Sequence, residues 1–297
     1  MRILVTGGNG FLGKYLCQTL LKNGHNVSIL DTSISNDRQP DINYEVGSVS
    51  DQSILNKMTK DVDCVFHLAA LSNIYECNKF PTKAVEANIL GTQNVLESIR
   101  ANNVPRLMFS SSMYALGEKG GIYATTKKTC EALIKNYADT YNFGWTILRF
   151  GSIYGPGSPK SNGFYQILHS VLFDKEIKYS GSKETFRRYI HVSDAARICC
   201  DALDKDYLYK GVNILGDEKI NILNLINLIQ EVLNTNKSVL FLEGEKSLQY
   251  QHTHYSKNLD SEISLKSNVS VTLEQGISEL IDYLRAENSD GNIFKHD

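Results

Sequence analysis

Arg2-Ile3-Leu4-Val5-Thr6-Gly7-Gly8-Asn9-Gly10-Phe11-Leu12-Gly13 decides the fold of this chain. The stretch from Arg2 to Thr6 reads as a short apolar strand. The glycine-rich run after it turns straight into a helix, with Phe11-Leu12, Tyr15-Leu16 and Thr19-Leu20 at helical spacing. Asn23-Gly24 then stops the helix with a C-cap signal. Glycines between a strand and a helix let the backbone approach a phosphate, and the helix N-terminus offers N–H groups and the positive end of its dipole. The run reads as Gly8-x-Gly10-x-x-Gly13, the dinucleotide fingerprint, or as Gly7-x-x-Gly10-x-x-Gly13. Strand, turn and helix fall in the order that fingerprint requires.

The next strand, Asn26-Val27-Ser28-Ile29-Leu30, ends at Asp31, eighteen positions after Gly13. A spacing near ~20 is expected for the acidic residue that takes the ribose hydroxyls. A carboxylate there accepts hydrogen bonds from a 2′-OH and repels a 2′-phosphate. No arginine follows before Arg38, so the spacing favours NAD over NADP.

Composition bounds the remaining possibilities. The 297 residues suffice for one large domain or two joined lobes, and 42% hydrophobic with 22% charged residues is the balance of a soluble globular protein. A formal net charge of −2 leaves no basic footprint for nucleic acid and no block of like charge for a membrane surface. Six cysteines without a Cys-x-x-Cys pair suggest neither a zinc site nor a disulfide framework, and fit a reduced interior. The sequence opens on a strand with no signal-peptide pattern and has no apolar run of membrane-spanning length, so a cytoplasmic protein is expected. His252-x-His254 is the one close histidine pair, and it reads as polar surface rather than metal site.

Further along, Tyr44-Glu45-Val46-Gly47 reads as a third strand leading into Ser48-Val49-Ser50-Asp51, a loop expected at the adenine. Val62 to Ala70 is a continuous apolar run of the kind a central parallel strand shows, and Ala69-Ala70 would let a cofactor pass close to the backbone. Residues 81–103 carry a helical pattern with Val85, Asn88, Thr92, Val95 and Ile99 on one stripe. An amide on such a face needs a partner, either backbone or a bound ligand. Arg106-Leu107-Met108-Phe109 is a strand that opens into Ser110-Ser111-Ser112. Tyr123 and Lys127 then stand one turn apart on a helix, on a stripe continuing inward through Cys130, Ile134, Tyr137 and Tyr141. A hydroxyl donor, a phenol and an ammonium thus converge where a nicotinamide would lie.

Thr146-Ile147-Leu148-Arg149-Phe150 is the sixth strand, and Gly151 to Pro159 breaks regular structure. The expected organisation is an NAD-binding Rossmann domain over 1–155, which carries the catalytic residues. A smaller lobe follows over 156–286, with some chain crossing back, and then a frayed tail over 287–297. Helices are expected at 163–173, 193–204 and 222–234, and strands at 177–180 and 211–215. Thr272-x-x-Gln275 is a capping box opening a last helix with Leu273, Ile277, Leu280, Ile281 and Leu284 as its buried stripe.

Taken in order, these elements resemble the extended short-chain dehydrogenase/reductases, the NAD-dependent epimerase/dehydratase family acting on nucleotide sugars. The resemblance rests on Thr6 to Gly13, Asp31, His67-Leu-Ala-Ala70, Asn88 to Asn94, Ser110-Ser-Ser112, Tyr123-x-x-x-Lys127, Arg149 to Pro156 and Arg187-Arg-Tyr-Ile-His-Val192. It implies an α/β fold, a Rossmann-type doubly wound parallel sheet with a smaller α+β C-terminal lobe that takes the substrate. It also implies a homodimer formed through the long helices near 83–103 and 124–142. Contacts to NAD are implied for Gly7, Gly10, Phe11, Leu12, Gly13, Asp31, Ser48, Val49, Leu68, Ala69, Ala70, Asn88, Tyr123, Lys127 and Phe150. Ser152 and Arg187 are implied substrate contacts. The chain departs from the family pattern at Ser48 and Ser152, where an acid and an asparagine are usual. Its loop from Gly117 to Tyr123 is clipped, and the usual arginine is not evident near Gln249 to Lys257.

The expected chemistry uses Ser112, Tyr123 and Lys127, with Ser111 as second choice for the hydroxyl. The Lys127 ammonium and a positive nicotinamide are expected to lower the Tyr123 pKa, so that the phenolate takes the proton of a sugar hydroxyl. The leading reading is an NAD-dependent nucleotide-sugar epimerase acting at C4 through a transient keto sugar, with no metal. Two alternatives stand beside it: a nucleotide-sugar dehydrogenase or reductase releasing a keto product, and a non-catalytic NAD-binding sensor. Dehydratases of the family carry Asp-Glu after the catalytic hydroxyl, where this chain has Met113 and Tyr114.

Overall fold

The computed structural model describes residues 1–33, 39–242, 263–265 and 270–289. His252, His254 and the stretch Gln249 to Lys257 lie outside the described residues. The described chain divides into two compact units. The first comprises 1–150, 195–214 and 263–265, and the second 151–194, 215–242 and 270–289.

The first unit is built on a parallel sheet. Its labelled strands are β1 (Arg2–Thr6), β2 (Asn26–Asp31), β3 (Asn43–Val46), β4 (Cys64–His67), β5 (Arg106–Ser112) and β6 (Gly144–Phe150). Lys210–Ile214 and Ile263–Leu265 extend it beyond β6, giving the order Ile263–Leu265, Lys210–Ile214, β6, β5, β4, β1, β2, β3. All of these pairings are parallel. β4, β5 and β6 are buried along nearly their whole length, which is why they read as unbroken apolar runs. The strand order reverses between β1 and β4, and ligands of doubly wound sheets sit at such a switch, beyond the carboxyl ends. Both predicted motifs, the glycine turn and His67-Leu-Ala-Ala70, leave the sheet there.

The helices of this unit are α1 (Phe11–Lys22), α2 (Gln52–Met58), α3 (Ile74–Lys79), α4 (Pro81–Ala84), α5 (Gly91–Asn102) and α6 (Gly121–Tyr141). Between α4 and α5 the chain forms a π-helical stretch, Val85–Leu90, instead of the uninterrupted α-helix predicted over 81–103. Within this stretch the Asn88 carbonyl accepts from Thr92 Oγ1 at 2.6 Å and from Cys130 Sγ at 3.2 Å. The predicted inward stripes are also shorter than expected. Val85 is 40% exposed and Tyr141 is 46% exposed, whereas Val95, Ile99, Cys130 and Ile134 are fully buried.

In the second unit, Ser152–Tyr154 pairs in parallel with Tyr189–His191, and Phe186–Arg187 pairs antiparallel with Ile220–Asn221. Ile177–Ser180 pairs in parallel with Val239–Leu242. Its core gathers Tyr154 of the Ser152–Tyr154 strand with Phe164, Leu168, Ile226 and Leu280 from helices α7 (Gly163–Phe173), α9 (Ile222–Val232) and α10 (Leu273–Ser289). The helix between, α8 (Val192–Asp201), carries the chain back into the first unit. The Thr272 capping box is formed in both directions: Gln275 N donates to Thr272 Oγ1 at 3.2 Å and Thr272 N to Gln275 Oε1 at 3.1 Å. Residues 287–289, predicted as frayed, belong to α10.

A buried histidine ties the switch region together. Thr92 Oγ1 donates to Asn88 O, so it accepts from His67 Nε2 at 3.0 Å, and Thr6 Oγ1 donates to His67 Nδ1 at 2.7 Å. The ring is therefore assigned as the neutral Nε2–H tautomer, linking β1, β4 and α5. Burial first, and the charge of Lys127 second, push its pKa down to about 3. An unfolded histidine near 6.5 binds a proton that the folded one refuses, so stability is lost as pH falls from about 6.5 towards 3. We expect a decline on the order of 1 kcal/mol per pH unit from this residue in chemical denaturation between pH 6.5 and 4. His67→Gln should remove that part of the slope, and an unchanged slope would contradict the assignment.

Gly13 carries the second test of the fold. A Cβ there would overlap the Gly7 carbonyl oxygen and lie 2.7 Å from Gly8 Cα, so the helix rests directly on the turn. We expect Gly13→Ala to cost about 1–3 kcal/mol in denaturant unfolding, the range of an overpacked site. A cost near zero would show that the turn yields.

Candidate active site

The glycine turn is shaped by close backbone approach. Gly7 has φ +75°, and a Cβ on it would sit 2.7 Å from Ala69 N. Its N–H donates to Leu30 O at 2.8 Å, and Gly10 N donates to Gly7 O at 3.1 Å. Gly10 is the N-cap of α1; it supplies no side-chain cap, and no acid stands in the first turn. Helix N–H groups left without a cap are what an anionic diphosphate requires. Phe11 and Leu12, half-buried, head this helix.

Asp31 stands beside that turn at the end of β2. Its Oδ2 accepts from Asn9 N at 3.0 Å, and its Oδ1 accepts from Ser33 N and Ser33 Oγ, both at 3.1 Å. Asn9 Nδ2 completes the ring by donating to Ser33 O at 2.5 Å. The carboxylate thus fixes the glycine turn as well as offering acceptor oxygen to a sugar hydroxyl. Further round the carboxyl edge, Leu68, Ala69 and Ala70 are half-buried. Val49 is buried, with its carbonyl accepting from Asn94 Nδ2 at 3.0 Å, and Ser48 Oγ accepts from Ser50 N at 3.1 Å. These are the predicted NAD contacts, and one unit gathers them at one edge of one sheet.

Asn88 is 2% exposed and its amide is satisfied within the protein. Oδ1 accepts from Leu71 N at 2.7 Å, while Nδ2 donates to Leu71 O and to Thr126 Oγ1, each at 3.0 Å. Of the two partners its sequence position left open, the structure supplies backbone. Asn88 therefore clamps the loop after β4 onto α6.

Lys127 is 3% exposed, and its Nζ donates to Ser110 O at 2.7 Å, joining α6 to the end of β5. The ammonium also lies 4.9 Å from the Phe109 ring centre and 5.9 Å from that of Tyr123. Burial brings its pKa down to about 8. Tyr123 is half-buried, with Ser112 beside it. Its phenol behaves opposite to the expectation above: burial pushes the pKa up to about 12, with the Ser112 hydroxyl acting the other way. Desolvation of a phenolate outweighs the help of one hydroxyl, so the unaided chain holds this group as a phenol.

A buried network that the sequence did not single out takes up one of the three serines. Ser111 Oγ donates to Glu131 Oε1 at 2.5 Å, and Arg149 binds the same carboxylate through Nε to Oε1 at 2.9 Å and Nη2 to Oε2 at 2.7 Å. Both charged side chains are nearly fully buried. Ser111 is committed there. Ser112 instead accepts from Tyr114 N at 3.3 Å and meets the phenol of Tyr123. Phe150, 7% exposed, pairs with Ser112 across β5 and β6. The signal for Glu131 was present in the sequence, four residues after Lys127 and hence on the same helix face.

Ser152 and Arg187 belong to the second unit. Ser152 is half-buried at the start of its strand, and Arg187 is 5% exposed, with Nη1 donating to Phe186 O at 2.9 Å. Among the described residues no group of three or more His, Cys, Asp or Glu is placed to hold a metal ion. All six cysteines are free and buried, and no described helix is long and apolar enough to cross a membrane.

Comparison with known proteins agrees with this geometry. Residues 3–214 match the model of the NAD dependent epimerase/dehydratase family. Over 96% of this chain and 98% of its own length, the uncharacterized UDP-glucose epimerase YtcB of Bacillus subtilis is 27% identical. The UDP-N-acetyl-alpha-D-glucosaminuronate decarboxylase of Bacillus cytotoxicus is 24% identical over 97% of this chain and 99% of its own. The crystal structure of UDP-glucuronic acid 4-epimerase from Bacillus cereus, with UDP-glucuronic acid and NAD, superposes with a TM-score of 0.84 at 25% identity, covering 96% of this chain and 99% of that one. The chain belongs to the NAD dependent epimerase/dehydratase family, as an enzyme whose cofactor is NAD.

Proposed function

We propose that the protein is an NAD-dependent nucleotide-sugar epimerase, acting on a UDP-sugar at C4. The observation that carries this reading is the Tyr123 phenol beside Ser112 and one helical turn from the buried Lys127, whose ammonium lies 5.9 Å from its ring centre, with Ser111 drawn away to Glu131. Held by the glycine turn, Asp31 and the edge formed by Leu68, Ala69 and Ala70, NAD supplies hydride acceptance and return, and a positive ring that stabilises a phenolate.

The chain's own part is proton handling. Tyr123 takes the proton of the sugar hydroxyl as hydride leaves the carbon, and returns it when the other face of the keto sugar is reduced. Ser112 donates to the same oxygen in both directions. Lys127, charged below about pH 8, supplies the fixed cation that steadies the phenolate, and the dry surroundings strengthen that effect. Met113 and Tyr114 offer no carboxylate after Ser112, which favours isomerisation over elimination. In this reading Ser152 and the Arg187 guanidinium of the second unit meet the sugar and the diphosphate. The protein acts in the cytoplasm as a homodimer through the helical stretches near 83–103 and 124–142, where Val85 and Tyr141 present apolar surface.

The test is a panel of nucleotide sugars, including UDP-glucose and UDP-glucuronic acid, followed by proton NMR with NADH fluorescence read in the same tubes. A new epimer without net NADH is expected. Stoichiometric NADH with a keto product would make the protein a dehydrogenase, and loss of the carboxylate carbon a decarboxylase. Tyr123→Phe should lower turnover by at least about 10²-fold, the low end for a general base, while NAD affinity changes little. Normal turnover by that variant would remove Tyr123 from the role of base.

A further inference from the structure

Tyr123 is the third residue of α6, in the turn of a helix where N–H groups lack intrahelical partners and fraying begins. The N-cap residue, Gly120, has no side chain to hold that turn. The cap comes instead from a neighbouring helix: Asn78 Oδ1, in α3, accepts from Ile122 N at 3.1 Å. Its Nδ2 donates to Ile74 O at 2.8 Å, which sets the amide so that the oxygen is the atom facing α6.

The backbone is shaped to this contact. Gly120 and Gly121 have φ +98° and +55°. A Cβ on Gly121 would lie 2.5 Å from Asn78 Oδ1, and one on Gly120 would lie 2.7 Å from Tyr114 Cδ1. Tyr114 then meets Tyr123 edge to face, with ring centres 6.5 Å apart and planes at 76°. The helix start is thus enclosed by Asn78 on one side and Tyr114 on the other, in place of the longer loop that the clipped 117–123 segment lacks. α3 is itself anchored. Cys77 Sγ donates to Leu71 O at 3.3 Å, and Leu71 is the residue whose N–H and carbonyl Asn88 holds.

We propose that Asn78 is a positioning residue for the reaction: capping the first turn of α6 from α3 holds the Tyr123 phenol against Ser112. The proposal rests on the reading of Tyr123 as the base. Without the Asn78 oxygen the first turn opens, and the phenol leaves the geometry that proton transfer needs, while the glycine turn and Asp31 are untouched. A displacement of about 1 Å at such a site costs on the order of 10²-fold in rate.

The experiment compares full-length wild-type protein with Asn78→Ala and Asn78→Asp. Hydrogen exchange is expected to rise at least about tenfold for the amides of Ile122, Tyr123 and Ala124 in Asn78→Ala, with β5 and the later turns of α6 unchanged. Asn78→Asp keeps an acceptor oxygen for Ile122 N but gives up the donor to Ile74 O, so it should restore protection in part. On the nucleotide sugar that the wild-type protein turns over, kcat should fall about 10- to 100-fold in Asn78→Ala, with KM and NAD affinity within about twofold, and Asn78→Asp should recover part of it. If Asn78→Ala does not fold, Gly121→Ala, whose methyl displaces the Asn78 oxygen, is read the same way. Unchanged exchange at the first turn overturns the proposal. So does a kcat loss that Asn78→Asp leaves in place, or a loss confined to KM. If the wild-type protein turns over no nucleotide sugar, that failure belongs to the functional reading, and the exchange measurement decides on the cap by itself.

Discussion

A single hydrogen bond, from the buried Lys127 ammonium to the carbonyl of Ser110, fastens α6 to the carboxyl end of β5, and the rest of the site depends on it. A lysine with almost no exposed surface is an expensive choice in a core. Its pKa falls from 10.5 to about 8, so between those values the unfolded chain binds the proton more tightly and stability rises with pH. At neutral pH the folded protein carries the full penalty, on the order of a few kcal/mol. The fold tolerates it because the Phe109 and Tyr123 rings and the Ser110 carbonyl surround the cation with compensating negative potential. What the penalty yields is a fixed positive charge one helical turn from a phenol.

Around that bond the protein separates two adjacent serines by giving them different partners. Glu131 neutralises Arg149 and takes the Ser111 hydroxyl, so β5, β6 and α6 meet in one buried polar network. Ser112, next along the strand, accepts from Tyr114 N instead and lies beside Tyr123. A buried ion pair contributes little net stability against an apolar alternative, but it fixes register strongly, because every misplacement leaves a charge unpaired. Here register decides which of the two hydroxyls Glu131 takes. His67 does the same for the cofactor edge, linking β1, β4 and α5 through two threonines.

Much of this was legible in the sequence, and the parts that were share a physical cause. The glycine turn, Asp31, the Tyr123–Lys127 spacing and the Thr272 capping box are local patterns in which the residue type is forced by the backbone it serves. The shortfalls came where distance or desolvation decides. Val85 and Tyr141 continue a helical period, yet the period does not say where the core ends, and both are exposed. The phenol of Tyr123 was expected below its ordinary pKa because a cation stands nearby, but burial, which sequence spacing does not report, pushes it up. Asn78 leaves no periodic trace at all, since a lone asparagine in a six-residue helix acquires its meaning only from the helix packed beside it. Asn88 was seen to need a partner, and only the fold could say that the partner is Leu71.

In the reaction proposed, hydride leaves one face of a sugar carbon and returns to the other, with Tyr123 moving only the hydroxyl proton. A nucleotide sugar deuterated at C4 tests this most directly, with proton NMR and mass measurement of both epimers after equilibration in ordinary water. The deuterium is expected to stay on the sugar carbon in substrate and product alike. Loss of the label to solvent would contradict it, because it would mean that the carbon gives up a proton rather than a hydride.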